Sequence, residues 1–244
     1  MLSSHLTTDL ALAATATAAT AATLTYAAYS AQSQLFGRTL IAGNDPNEVA
    51  LTYDDGPNDA ATLPLLEILA RHNARATFFM IGKFVRQHPE IVRAVHAAGH
   101  LIGNHTYTHP WLTMLPANQI REELRTCNEA LEDVLGAPIR YVRFPHGARR
   151  PATLRIAAEL NLTPVQWNAM GHDWQLPTAE AILTHLNPDL TRAHRRHKGA
   201  NILLHDGHDR AMSANRTPTL HATDQLLTRF ALENKRTVTI DAWG

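Results

Sequence analysis

The 244-residue sequence is poor in cysteine and aromatics and carries no net charge. Its single cysteine, Cys127, rules out an intramolecular disulfide and every multi-cysteine zinc or iron–sulfur site, so a bound metal must be held by histidines and carboxylates. Lys and Arg number 22 against 22 Asp and Glu, which removes the basic footprint needed to grip nucleic acid or an anionic membrane. No Gly-rich loop follows any predicted strand. The Asp54-Asp55-Gly56-Pro57 turn has one glycine, and its proline removes an N–H donor, which disfavours a nucleotide-binding sheet. No internal repeat or long Gly/Ser linker divides the chain, and its length suits one large domain. What is abundant is histidine: 15 residues, roughly two to three times the ordinary share. Histidine is the commonest metal ligand and titrates near neutrality.

The stretch from Leu10 to Ala31 is uncharged and long enough to span a bilayer, but it consists mostly of Ala and Thr, which contribute little to insertion. A secretory signal also wants basic residues ahead of the apolar run, and the first Arg or Lys is Arg38. Residues 1–40 therefore read either as an export signal or membrane anchor, or as a surface helix. Any membrane association would run through this segment alone.

Beyond residue 41 short β-rich runs alternate with helical patterns. Strands are expected at Glu48 to Tyr53, Ala76 to Ile81, His100 to Asn104, Arg140 to Phe144, Thr163 to Trp167, Asn201 to His205 and Thr237 to Ile240. A helix opens at Pro89 and closes before Gly99. A second carries the stripe Ile120, Leu124, Cys127, Leu131 and Leu135 and stops at Gly136, which makes Cys127 a buried small hydrophobe rather than a nucleophile. Others start at Pro151, with Leu154, Ala157 and Leu160 inward, and at Thr217-Pro218, with Leu220, Leu227 and Phe230 inward. Strand spacings of one β/α unit predict a parallel sheet covered by helices, either a barrel or a doubly wound sheet.

Polar clusters fall at one end of these strands: Thr52 to Pro57, His105 to His109, Arg143 to Gly147, His172 to Trp174, and Leu203 to Asp206. In a (β/α) barrel that end carries the active site. With so many histidines, about one His-x-x-x-His pair is expected by chance. His96 and His100 bracket a helix end and read as structural. His105 and His109 follow a strand end, where one helical turn brings both imidazoles to one face. Two histidines need a third ligand, and Asp54-Asp55 offers one. A bare Asp-Asp-Gly is more often a turn or cap, yet side chains alternate along a strand, so one carboxylate would hold a metal while the other faced a water.

The ordered set Thr-Tyr-Asp-Asp-Gly-Pro, His-Thr-x-x-His, Arg-x-Pro-x-Gly, Asp-Trp and Leu-x-His resembles the polysaccharide deacetylase (NodB homology) family, carbohydrate esterase family 4, over roughly residues 45 to 242. The resemblance implies an α/β fold, a distorted (β/α)7-8 barrel in a single domain, and hydrolysis of N-acetyl groups on the amino sugars of chitin oligosaccharides or peptidoglycan. It implies Asp54 as catalytic base, and Asp55, His105 and His109 as ligands of one divalent ion, Zn²⁺ foremost with Co²⁺, Ni²⁺ or Mn²⁺ as substitutes. Arg143 would orient Asp54. Asp173 would raise the pKa of His205, the acid that protonates the leaving amine. The His146 backbone N–H would hold the developing oxyanion, and Trp174 and Leu203 would line the acetyl pocket. A monomer is expected, at the cell envelope or secreted, with a cytoplasmic location as the alternative.

Three departures stand out: Tyr53 where Phe is commoner, His146 where an aromatic such as Tyr is usual, and Met170 where many members carry Asp. Competing readings are an O-acetyl xylan esterase on the same fold and a catalytically silent sugar-binding protein. A helical metal phosphohydrolase, suggested by the three His-Asp dipeptides, conflicts with the β/α alternation. Trp111 reads equally as core or as a sugar-stacking platform, and Arg192 to Lys198 as a solvated helix end.

Overall fold

A computed structural model describes residues 2–244, with side chains from residue 15 onward. In chain order the elements are helix α1 (Leu2–Tyr29), strand β1 (Glu48–Gly56), α2 (Thr62–Arg71), β2 (Thr77–Met80), α3 (Gly82–Gln87), α4 (Pro89–Ala97), β3 (Leu101–Asn104), α5 (Ala117–Leu135) and β4 (Tyr141–Val142). They continue with α6 (Pro151–Glu159), β5 (Thr163–Pro164), β6 (Ala169–Met170), α7 (Ala179–Arg195), β7 (Ala200–His205), α8 (Thr217–Leu232) and β8 (Arg236–Thr237).

The strands lie in the order β5-β4-β3-β2-β1-β7-β6, with β8 beside β1, and every pairing is parallel. Parallel strands need covered faces, and β1 is buried along almost its whole length. The period of two sorts its side chains. Val49, Leu51 and Tyr53 join Phe78, Met80, Ile202 and Leu204 in the main core against the helices. Ala50 faces the concave interior, where it packs with Phe79, Tyr141, Val165 and Ile240. Thr52 and Asp54 follow on the same inner face, so the interior is apolar at the N-terminal ends of the strands and polar at their C-terminal ends. Tyr53 suits its interior position, since its hydroxyl lies 2.9 Å from Thr223 Oγ1.

The fold is the expected α/β type, but the ring of strands is incomplete: among the described residues no ladder joins β5 to β6. The strand expected at Thr163 to Trp167 breaks, because Pro164 has no N–H to donate and Leu40 inserts beside it. The Leu40 N–H donates to the Pro164 carbonyl, and the Gln166 N–H donates back to Leu40 O, each at 2.8 Å. The chain then forms an unanticipated strand at Ala169–Met170 on the far edge, beside β7. The last expected strand is also shorter, because Ile240–Trp243 turns into a 3-10 helix whose Ile240 closes the base of the interior.

Helix signals read as expected at Pro89 and at Gly136, whose φ of 66° ends α5 in the left-handed region. Cys127 is fully buried, and burial pushes its thiol up to about 12. On α6 the fully buried residues are Thr153, Ile156 and Ala157, while Leu154 and Leu160 pack at its margin. His100 is buried and accepts from the Ala76 N–H, His96 is exposed, and Arg192 to Lys198 is a solvated helix end apart from Ala193.

Among the described residues no helix is long and apolar enough to cross a membrane. The side chains of residues 1–14 lie outside the described residues. At its C-terminal end α1 is tied to the domain through Arg149, which is 1% exposed. The Arg149 N–H donates to Ala28 O at 3.0 Å, and Nη2 to Ser30 O at 2.8 Å and Ser33 O at 2.6 Å.

Candidate active site

The end of β1 brings both aspartates to the same point. Strict alternation would send them to opposite faces, but the β1–β2 register slips between Asp54 and Gly56, and Asp55 adopts a φ of 72°. That local bulge turns Asp55 inward beside its neighbour. His105 Nε2 consequently lies 3.7 Å from Asp54 Oδ2 and 3.4 Å from Asp55 Oδ1. The expectation that the two carboxylates diverge is therefore corrected. Space beneath them is tight: a Cβ on Gly56 would meet Asp206 Oδ2 at 2.5 Å, and one on Gly207 would meet Asp55 O at 1.9 Å.

His105 and His109 leave the end of β3, with Thr106 and His109 both in the left-handed region. Their rings lie 5.0 Å apart, and His109 Nε2 is 3.3 Å from Asp55 Oδ1. Asp55, His105 and His109 each offer one ligand atom within a common 4.8 Å. The donor set fits a cation. Asp55 Oδ1 is buried with no hydrogen-bond partner, a costly state for a carboxylate oxygen unless something cationic satisfies it. His105 Nδ1 donates to Arg143 O at 2.8 Å, because a carbonyl only accepts. Its Nε2 is thereby left with the lone pair. Burial pushes His109 down to about 3, so its imidazole is neutral near pH 7, as a ligand must be. Burial opposes ionisation of Asp55, yet the imidazoles of His105 and His109 beside it and the positive charge of His205 hold its carboxyl below the usual range.

Asp54 is held from below. Arg143, with no exposed surface, donates from Nη1 to Asp54 Oδ1 at 2.9 Å and to Thr52 Oγ1 at 2.7 Å, and its guanidinium lies 4.3 Å over the Phe79 ring. On the other side β7 pairs His205 directly with Asp54 in the parallel ladder. The His205 ring Nδ1 lies 2.8 Å from Asp173 Oδ1 and its backbone N–H donates to Asp173 Oδ2 at 2.8 Å, while Thr219 Oγ1 donates to the same oxygen at 2.7 Å. Burial alone would lower His205, but the Asp173 charge and hydrogen bond, with Asp55 and Asp54 nearby, raise it to about 9. Leu203, two residues earlier on the same inner face, is buried and lines the cleft.

These residues border one open cleft of about 450 Å³, with Trp174, Met170, Trp167, Gly147 and Tyr29 on its walls. Trp174 is 42% exposed, stands edge-on to His205 at 4.9 Å and stacks on His172 at 4.9 Å. His146 sits in the 3-10 turn Pro145–Gly147 with a φ of 59°. Its ring packs edge-on to His109 at 4.8 Å and lies flat on Trp111 at 3.7 Å. Trp111 is thus half-exposed rather than core. Met170 lines the cleft while its backbone N–H donates to Asp189 Oδ2 at 3.3 Å, so α7 braces the loop that leads to Asp173.

All ten residues singled out from the sequence lie on this cleft or directly behind it. The sequence placed Asp206 in a polar strand-end cluster without a role and gave none to Asp209 or Tyr29. Asp206 is buried under the site, takes a hydrogen bond from Thr62 at 2.5 Å, and is pushed up to about 7 by burial and by Asp55 and Asp54. The Asp209 carboxylate lies 3.7 Å from His109 Nδ1. The dipeptides His205-Asp206 and His208-Asp209 were the available signal, and they pointed to a helical metal phosphohydrolase that the β/α alternation excluded. Nothing local marks Tyr29, which arrives from the end of α1.

The family model for polysaccharide deacetylase matches residues 42–165. The chain is 40% identical over 169 residues to a chitooligosaccharide deacetylase of Rhizobium leguminosarum bv. trifolii, covering 68% of this chain and 74% of the relative. Among solved structures, the Bc1960 peptidoglycan N-acetylglucosamine deacetylase superposes with a TM-score of 0.75 at 29% identity, over 83% of this chain and 91% of that one. A family 4 carbohydrate esterase from Streptomyces lividans, in complex with acetate, gives 0.67 at 30% identity, over 79% and 91%. The chain belongs to the polysaccharide deacetylase family.

Proposed function

We propose that this protein is a metal-dependent deacetylase that hydrolyses the N-acetyl groups of N-acetylglucosamine units in chitin oligosaccharides or peptidoglycan. One observation carries the reading: a buried Asp55 oxygen with no hydrogen bond of its own lies 3.4 Å and 3.3 Å from two imidazole nitrogens, directly beside Asp54. Asp55, His105 and His109 would hold the ion, which lowers the pKa of a water and polarises an acyl oxygen when bound.

The chain supplies the rest. Asp54, kept oriented by Arg143, takes the proton of the attacking water. The backbone N–H of His146 donates to the oxygen of the scissile carbonyl as charge builds there. An amine is a poor leaving group, and His205, held protonated by Asp173, donates its proton to it. Leu203 and Trp174 enclose the acetyl methyl and keep bulk water away. A sugar-binding protein without catalysis needs none of this convergence. Residues 41–244 form the catalytic unit in this reading, and a polymer substrate of this class places the protein at the cell envelope or outside the cell.

The test is acetate release from N-acetylglucosamine oligomers, peptidoglycan fragments and acetylated xylan, each with and without a chelator. Chelator-sensitive release from the first two supports the proposal. Release from xylan alone would make the protein an O-acetyl esterase, and no release from any would leave a binding protein.

A further inference from the structure

Two large aromatic side chains at the cleft mouth are out of keeping with their surroundings. Tyr29 and Trp111 are 48% and 47% exposed. They meet edge to face, with ring centroids 6.2 Å apart and planes at 61°. Trp111 covers one face against His146 at 3.7 Å, in near-parallel stacking, and the residue stays 47% open to solvent. His146 in turn touches His109. The aromatic corner is therefore continuous with the reaction centre, and Tyr29 itself lines the same cleft.

The corner is also held rigidly. Tyr29 is the last residue of α1, and the chain on either side of it is fixed by Arg149 through Ala28 O, Ser30 O and Ser33 O. The same guanidinium donates from Nη1 to Gly147 O at 3.0 Å, which is the residue after His146. One buried arginine thus sets both the α1 terminus and the wall of the site. A rigid, solvent-facing aromatic pair loses little freedom when a ligand covers it, and the C–H-rich face of a pyranose ring is the surface that packs on an indole.

We infer that Tyr29 and Trp111 form a sugar subsite, which receives the ring adjoining the one whose acetyl group is hydrolysed, so that the segment ahead of the family-matched region takes part in substrate recognition. This rests on the amino-sugar reading above. It makes Tyr29 a specificity residue, with the indole face and the phenol ring forming the two walls of the corner.

The test is direct binding of the tetramer of N-acetylglucosamine by calorimetry, in the full chain carrying Asp54→Asn so that the sugar is not consumed. Adding Tyr29→Ala should weaken the Kd about three- to tenfold, the effect expected of one aromatic contact. Tyr29→Phe, which keeps the ring, should restore most of it. Trp111→Ala should weaken binding at least as much. An unchanged Kd in Tyr29→Ala, or no tetramer binding in any variant, overturns the subsite. Acetate release by the unsubstituted chain is followed in parallel. Tetramer binding that depends on Tyr29, with no acetate released from any amino sugar, would keep the subsite and remove the deacetylase reading.

Discussion

The carbonyl oxygen of Arg143 accepts the Nδ1 proton of His105 at 2.8 Å. The side chain of the same arginine fixes Asp54 at 2.9 Å. One residue at the end of β4 therefore sets the tautomer of a candidate metal ligand with its backbone and the orientation of the candidate base with its guanidinium. The candidate ligand and the candidate base are thus coupled through a single position.

Replacing Asp54 by Asn keeps the shape and removes the basicity. Turnover on N-acetylglucosamine oligomers should fall by about two to four orders of magnitude, while bound metal per chain, measured by elemental analysis, stays as in the unsubstituted protein.

Metal retention should separate Asp54 from its neighbour. Asp55→Ala and the double variant His105→Ala/His109→Ala should each lose stoichiometric metal along with activity, because neither the two ligands left in the first nor the single one left in the second can hold an ion tightly. Full metal content and full activity in the double variant would sink the mechanism.

The pH dependence should carry the signature of Asp173. Because the folded protein raises His205 to about 9, the acid form persists well above neutrality, and kcat/KM should fall only as pH climbs through that region. In Asp173→Asn the alkaline limb should move toward the ordinary histidine value of about 6.5. Stability follows the same sign: the protonated, paired His205 stabilises the fold fully below about pH 6.5, and that contribution disappears as pH rises to about 9. Chemical denaturation across this window, with and without Asp173→Asn, checks it.

Arg143→Met should cost more than activity. It leaves the buried Asp54 carboxyl without its partner, and breaking a buried pair typically destabilises by about 3–5 kcal/mol. Urea unfolding should show this loss, and the double variant Arg143→Met/Asp54→Leu should recover much of it, since no charge is then left unpaired.

The sheet and the site were legible in the sequence to different depths. Strand positions follow from apolar runs between turn residues, and the polar clusters at their C-terminal ends mark the cleft. The convergence of Asp54 and Asp55 was not readable, because it depends on a bulge and a positive φ at Asp55 that alternation does not encode. The break near Pro164 was hidden for a similar reason, since Leu40, far away in sequence, completes that edge. Tyr29 was invisible because only the buried contacts of Arg149 bring the end of α1 to the cleft. Local periodicity reports which face a residue takes, but a contact between distant segments has no local trace. Histidine abundance misled in the same way, as only a few of the fifteen reach the site.

Gly56 and Gly207 carry no side chain, yet each lies where a single added carbon would strike Asp206 or the Asp55 backbone. In a saturation survey of every position, these two glycines should be as intolerant of change as the carboxylates themselves. Intolerance at such positions measures closeness of fit beneath the reaction centre, and a map of essential residues in this protein will include sites with no chemistry of their own.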